Sequence, residues 1–144
     1  MTQDPVVCTP DQSCKTAAEL LCQHDCGSVP VVNDMNEKKV VGILTDRDIC
    51  CRAAASGSDP NRTLVRDVMT ERVVCCAPDD DVMEAVRLMR EHQIRRVPIV
   101  DAAAKVVGMI AQADIARYCG DEVASVVESI SVPSREPSEV RQAV

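Results

Sequence analysis

Thr45-Asp-Arg-Asp48 is the segment of this sequence best equipped to hold a ligand. It follows the apolar run Val40-Val-Gly-Ile-Leu44 and opens a helix, so free backbone donors and a partial positive charge face whatever lies beyond the strand. A carboxylate at Asp48 accepts hydrogen bonds only, which suits the paired hydroxyls of a ribose, and the Thr45 hydroxyl can donate to a phosphate oxygen. The same Thr-x-x-Asp spacing also makes a capping box, which satisfies helix donors with no ligand at all. Spacing leaves both readings open. Arg95 and Arg96 stand just before the apolar run Val97-Pro-Ile-Val100. Their planar forks can grip phosphate oxygens bidentately; the plainer alternative is two solvated charges at a strand edge.

Cys22 and Cys26 are spaced as one helical turn and could form half of a zinc site, with Cys14 or another thiol completing it. A metal site needs a closed ligand set, and His24 points off the face the two thiols share, so no metal site is assigned and this pair stands as the candidate. His24 and His92 are expected at helix ends on the surface. Neither has a Ser or Cys partner, and there is no glycine-rich phosphate loop, so no catalysis is expected.

The elements that carry these residues must be built almost without aromatic rings. Of 144 residues, 46% are hydrophobic, but Tyr118 is the one aromatic residue, so Val, Ile, Leu, Met, Ala and Cys must fill the core. That composition and a net charge of -7 argue against nucleic acid as a partner, because stacking and counterion release both fail. The start, Met1-Thr-Gln-Asp-Pro, lacks the cationic and apolar stretches of an export leader, and no apolar run approaches the roughly 18 residues of a membrane span. A cytoplasmic location without membrane insertion is the expectation. The nine cysteines are then expected reduced, serving as small hydrophobes in runs such as Val73-Val-Cys-Cys76 and Ile49-Cys-Cys51.

An internal repeat sets the architecture. Met1-Thr2, Pro10-Asp11 and Val29-Pro30 recur as Met69-Thr70, Pro78-Asp79 and Val97-Pro98 at a shift of 68 residues, and Lys39-Val-Val-Gly42 recurs as Lys105-Val-Val-Gly108 at a shift of 66. Each copy predicts strand, helix, strand, strand, helix. The first strands are short runs at Val6-Val7 and Val73-Val74, and a helix follows the acidic group Asp79-Asp80-Asp81. The chain divides into repeat 1 (1–55), a linker (56–64) rich in turn residues, repeat 2 (65–118), an amphipathic helix (119–132) and a flexible tail (133–144).

In its carrying residues this repeat resembles the CBS domain. They are Thr9-Pro10 and Ala77-Pro78 before the first helix, Val29-Pro-Val-Val32, Arg96-Val-Pro-Ile-Val100, Gly42-Ile-Leu-Thr-Asp-Arg-Asp-Ile49, and the short helix Val65-Arg-Asp-Val-Met-Thr70. The resemblance implies an α/β (α+β) fold. Two βαββα repeats are related by a pseudo-twofold axis, their sheets packed together and their helices outside. The helix equivalent to Val65–Met69 is missing before repeat 1. The resemblance further implies a regulatory module with no obligatory cofactor and no enzymatic activity. It would bind AMP, ADP, ATP or a related adenosyl ligand between the repeats and signal to a partner. Asp48 would hold ribose, Thr45 would lie near phosphate, and Ile43 and Val74 would line the slot for the base. Arg95 and Arg96 would reach phosphate from the other repeat. The mirror cleft keeps Asp114 but has Ala111 in place of the hydroxyl, with uncharged Gly27 and Ser28 facing it. The alternative is a thiol-based redox or zinc sensor on the same fold. A homodimer is expected, because helices of such a pair carry a second apolar face.

Overall fold

In the computed structural model, residues 1–118 are described. The helix expected at 119–132 and the tail at 133–144 lie outside them. The element order is β1 (Thr2–Gln3), α1 (Cys14–Gln23), β2 (Ser28–Val32), β3 (Val40–Thr45), α2 (Asp46–Asp48), α3 (Val65–Val68), α4 (Val82–His92), β4 (Arg96–Val100), β5 (Val106–Ala111) and α5 (Gln112–Tyr118). From α2 the chain continues as a π-helical stretch, Ile49–Ala54.

Local chemistry explains where the helices start. The Ser13 hydroxyl accepts from Thr16 N–H at the head of α1, and Asp81 accepts from Met83 N–H at the head of α4, each satisfying a donor that the helix cannot. At its other end α4 is closed by Gln93 in the left-handed region (φ 53).

Each repeat contributes one antiparallel hairpin: Ser28 pairs with Thr45 and Val31 with Gly42 in β2–β3, and Arg96 pairs with Ala111 and Ile99 with Gly108 in β4–β5. The first strand of each repeat is shorter than the sequence predicts. Val6-Val7 and Val73-Val74 form no strand; only Cys8 and Cys76 make parallel bridges, to Val31 and Ile99. Turns stop the pairing at once. Gln12 side-chain oxygen accepts from Thr9 N–H at 2.9 Å, and the Asp80 carboxylate accepts from Ala77 N–H at 2.7 Å, just before each first helix.

The two hairpins meet through a symmetric pair of hydrogen bonds. Val40 N–H donates to the Ala104 carbonyl and Val106 N–H to the Lys38 carbonyl, both at 3.0 Å, around the bridge between Lys39 and Lys105. Val7, Val32 and Val106 bury themselves at this seam. Elsewhere the cores are separate. Cys8, Cys14, Ala17, Leu21, Val29, Val31 and Leu44 fill one, and Cys76, Ala85, Val86, Leu88, Met89, Val97, Ile99 and Ile115 fill the other.

The lead segment of each repeat belongs structurally to the other. Val65 and Val68 of α3, assigned to repeat 2 by the sequence shift, are buried in the core of repeat 1, and Thr70 exchanges two 2.9 Å hydrogen bonds with Ile43 of β3. Equivalently, Thr2 at the start of repeat 1 pairs with Met109 of β5. Glycines make the approach possible. A Cβ at Gly42 would stand 2.7 Å from Met69 Sδ, and one at Gly108 would stand 3.0 Å from Met1 Sδ. Among the described residues, no helix is long and apolar enough to cross a membrane.

Candidate functional site

Thr45 ends β3 in extended conformation and caps α2, and Asp48 closes the capping box from the third helical position. Asp48 Oδ2 accepts from Thr45 N–H at 2.9 Å and from the Thr45 hydroxyl at 2.7 Å, while Asp48 N–H donates to Thr45 Oγ1 at 3.1 Å. The hydroxyl proton expected to reach a phosphate is thus directed at Asp48. Asp48 Oδ1 retains acceptor capacity: its neighbour is Arg52 Nη1, 3.5 Å away, and the side chain is 13% exposed. The cap and a further contact are therefore compatible on one carboxylate, with Oδ2 serving the helix and Oδ1 lying beside Arg52.

The two arginines divide. Arg95 is exposed, and its carbonyl accepts from Gln112 N–H at 2.8 Å. Arg96 is half-buried and crosses to repeat 1, because neighbouring residues at a strand start project to opposite sides. Its guanidinium occupies the space a side chain at Gly27 would need: a Cβ there would meet Arg96 Nη2 at 3.0 Å, Nη1 at 3.3 Å and Asp46 Oδ2 at 3.3 Å. Gly27 carbonyl in turn accepts from Asp46 N–H at 3.2 Å, so Arg96 rests beside the head of α2. Among the described residues, Arg96 closes no ion pair and makes no side-chain hydrogen bond. The sequence assigns Gly27 to the mirror cleft and gives Asp46 no separate role, whereas the structure places both beside Arg96, because an exposed Asp and a glycine carry no signal of which partner they meet.

Ile43 and Val74 are both partly buried. Ile43 is tied to Thr70, while Val74 packs on the core of repeat 2, so the connection between repeats joins them. On the mirror side Asp114 accepts from Ala111 N–H at 2.9 Å, with no hydroxyl to complete the cap. Ser28, at the position matching Arg96, is 7% exposed, and its Oγ has no hydrogen-bond partner among the described residues.

The thiols are placed differently from expectation in two respects. Cys22 and Cys26 do not share a helical face: α1 stops at Gln23, and Asp25 turns the chain in the left-handed region (φ 47). Cys22 is exposed, whereas burial pushes the Cys26 thiol up despite an accepted Ser28 N–H and the nearby Arg96 cation. Cys50 and Cys51, expected among apolar neighbours, are exposed on the π-helical stretch. Cys8, Cys14 and Cys76 are buried. Among the described residues, no three His, Cys, Asp or Glu side chains converge to hold a metal. His24 and His92 are exposed at helix ends.

Comparison with known proteins agrees with this architecture. Hypoxic response protein 1 of Mycobacterium tuberculosis is 32% identical over 130 residues, 89% of each chain. The CBS domain-containing protein YhcV of Bacillus subtilis is 38% identical over 133 residues, 91% of each chain. Among solved structures, Hypoxic Response Protein I with two coordinated zinc ions superposes with a TM-score of 0.74 at 30% identity, covering 82% of this chain and 93% of that one. The CBS domain family matches residues 1–53 and 65–121. With the internal repeat, the crossed lead segments and both family matches in register, this chain belongs to the CBS domain family and carries the domain as a tandem pair.

Proposed function

We propose that this CBS pair is a cytoplasmic regulatory module that binds an adenine nucleotide or related adenosyl ligand beside Thr45 and Asp48, pairs with a second copy of itself, and signals its occupancy to a partner protein. The observation that carries this reading is Arg96. A half-buried guanidinium from one repeat lies against the other repeat next to Asp46, with no ion pair closed on it among the described residues. Asp46 stands near without closing on this guanidinium, so its N–H fork keeps donors for a charge-assisted partner, and a phosphate would supply one. Asp48 Oδ1, turned away from its own cap, suits a ribose hydroxyl.

Calorimetric titration with AMP and ATP tests the reading. One strong site per chain is expected, lost in Asp48→Ala and little changed in Asp114→Ala. Arg96→Ala should penalise AMP relative to adenosine by roughly tenfold or more, the worth of one charge-assisted contact at about 1.5 to 3 kcal/mol. The smaller effect belongs to Arg95→Ala, because that side chain is exposed. Binding that survives Asp48→Ala and disappears in Asp114→Ala would place the ligand in the mirror cleft.

A second reading, a thiol-based redox or zinc sensor, draws on the zinc ions of the similar Hypoxic Response Protein I structure. Among the described residues of this chain, no three such side chains stand together to hold zinc. A thermal shift with zinc or oxidant, and none with AMP or ATP, would favour it.

A further inference from the structure

We infer that Arg52 is a coupling residue, through which the state of the Asp48 carboxylate reaches the connection between the two repeats. Its Nη1 nitrogen donates to the Val68 carbonyl at 2.7 Å and the Met69 carbonyl at 3.1 Å, and lies 3.4 Å from Thr70 Oγ1 and 3.5 Å from Asp48 Oδ1. One terminal guanidinium nitrogen carries two N–H bonds, so four acceptors compete for two protons. Whatever Asp48 takes, the connection loses. The carbonyls at the end of α3 attract a cation in their own right, so a weaker pull from Asp48 lets Arg52 settle on them.

The far side of this contact is a structural junction. Met69 N–H donates to Val65 at 2.8 Å, the Met69 side chain covers Gly42, and Thr70 is bonded in both directions to Ile43. Arg52 therefore spans the capped carboxylate and the segment by which repeat 2 enters the sheet of repeat 1. The second repeat differs: at the equivalent shift of 66 stands Tyr118, which carries no cation, and Asp114 Oδ1 has the Met1 ammonium 3.9 Å away instead. Occupancy of the Asp48 side is thus read by the connection through a side chain of repeat 1. That a nucleotide is what occupies Asp48 rests on the function proposed above; the coupling itself does not.

Amide hydrogen exchange on the whole chain, resolved by residue, tests it through a double-mutant cycle. Arg52→Ala should speed exchange at Met69 and Thr70 by roughly tenfold, leaving Val97 and Ile99 of β4 as internal controls against general unfolding. Arg52→Lys should recover part of that protection. Asp48→Asn should slow Met69 and Thr70 by about twofold, the scale of a half-exposed pair one helical turn apart, and should do nothing there when residue 52 is Ala. Unchanged exchange in Arg52→Ala, or an equal effect of Asp48→Asn in both backgrounds, overturns the coupling. AMP should reproduce the slowing in the wild type only. If AMP moves no amide anywhere while the cycle holds, the nucleotide reading is lost and the coupling stands; slowing by AMP that persists in Arg52→Ala overturns the coupling.

Discussion

At the scale of single residues, the cysteines separate into groups with different chemistry. Burial pushes the Cys8 thiol up to about 12 and Cys75 to about 11, with the neighbouring thiols Cys14 and Cys76 adding to each, while Cys22, Cys50 and Cys51 are exposed. Thiolate, not thiol, is the nucleophile. A thiol reagent at pH 8 should therefore label Cys22, Cys50 and Cys51 in the native chain and reach Cys8, Cys14 and Cys76 only after denaturant is added, which peptide mapping by mass spectrometry can read. Rapid native labelling of Cys8 would contradict its place in the core. The same burial gives stability a pH dependence. A thiol whose pKa is raised by folding keeps its proton in the native state, so its contribution is intact below the ordinary value of 9.0 and fades as pH climbs toward 12. Denaturant midpoints should fall across that alkaline window, and Cys8→Ala should flatten the fall.

At the scale of elements, the close approach of lead segment to sheet is the feature most sensitive to one atom. The Cβ of Gly42→Ala would stand 2.7 Å from Met69 Sδ and 3.2 Å from the Thr70 carbonyl, so the strand or the connection must shift. A loss of about 1 to 3 kcal/mol of stability is expected, the usual cost of overpacking, measurable as a lower urea midpoint. Retained wild-type stability would mean that the connection is looser than its hydrogen bonds imply. How much of this was legible in the sequence follows from the range of each interaction. The helix heads at Thr45 and Asp81 and the hairpins around Val29–Val32 and Val97–Val100 rest on neighbours close in sequence, and pattern exposes them. The single-residue bridges at Cys8 and Cys76 do not, because an apolar pair before a proline looks the same whether it pairs once or four times. The packing of α3 into repeat 1 was hidden likewise: its repeat position assigns it to one core, and its buried Val65 and Val68 join the other. At the site, Asp48 was legible through its cap spacing. Arg52 was not, since two of its acceptors are backbone carbonyls 16 and 17 residues away.

At the scale of the whole molecule, α4 carries exposed apolar side chains on one face. Ala85, Val86, Leu88 and Met89 are buried against its own repeat, while Val82 is 41% and Met83 is 48% exposed. Met83 and Val86 line an open groove with Arg87, Arg90 and Glu91. Arg87 is bonded to both Glu84 and Glu91, so much of the charge bordering the apolar strip is already neutralised within the helix. An apolar strip with paired charges beside it suits a self-complementary contact, in which the same patch meets itself about a twofold axis. We therefore expect a homodimer with α4 at its interface. Light scattering at micromolar concentration should give about twice the 15.6 kDa of one chain, and Met83→Asp should return the single-chain mass, because two carboxylates would face each other across the axis. A wild type that scatters only as 15.6 kDa would refute the dimer; a dimer indifferent to Met83→Asp would move its interface away from α4.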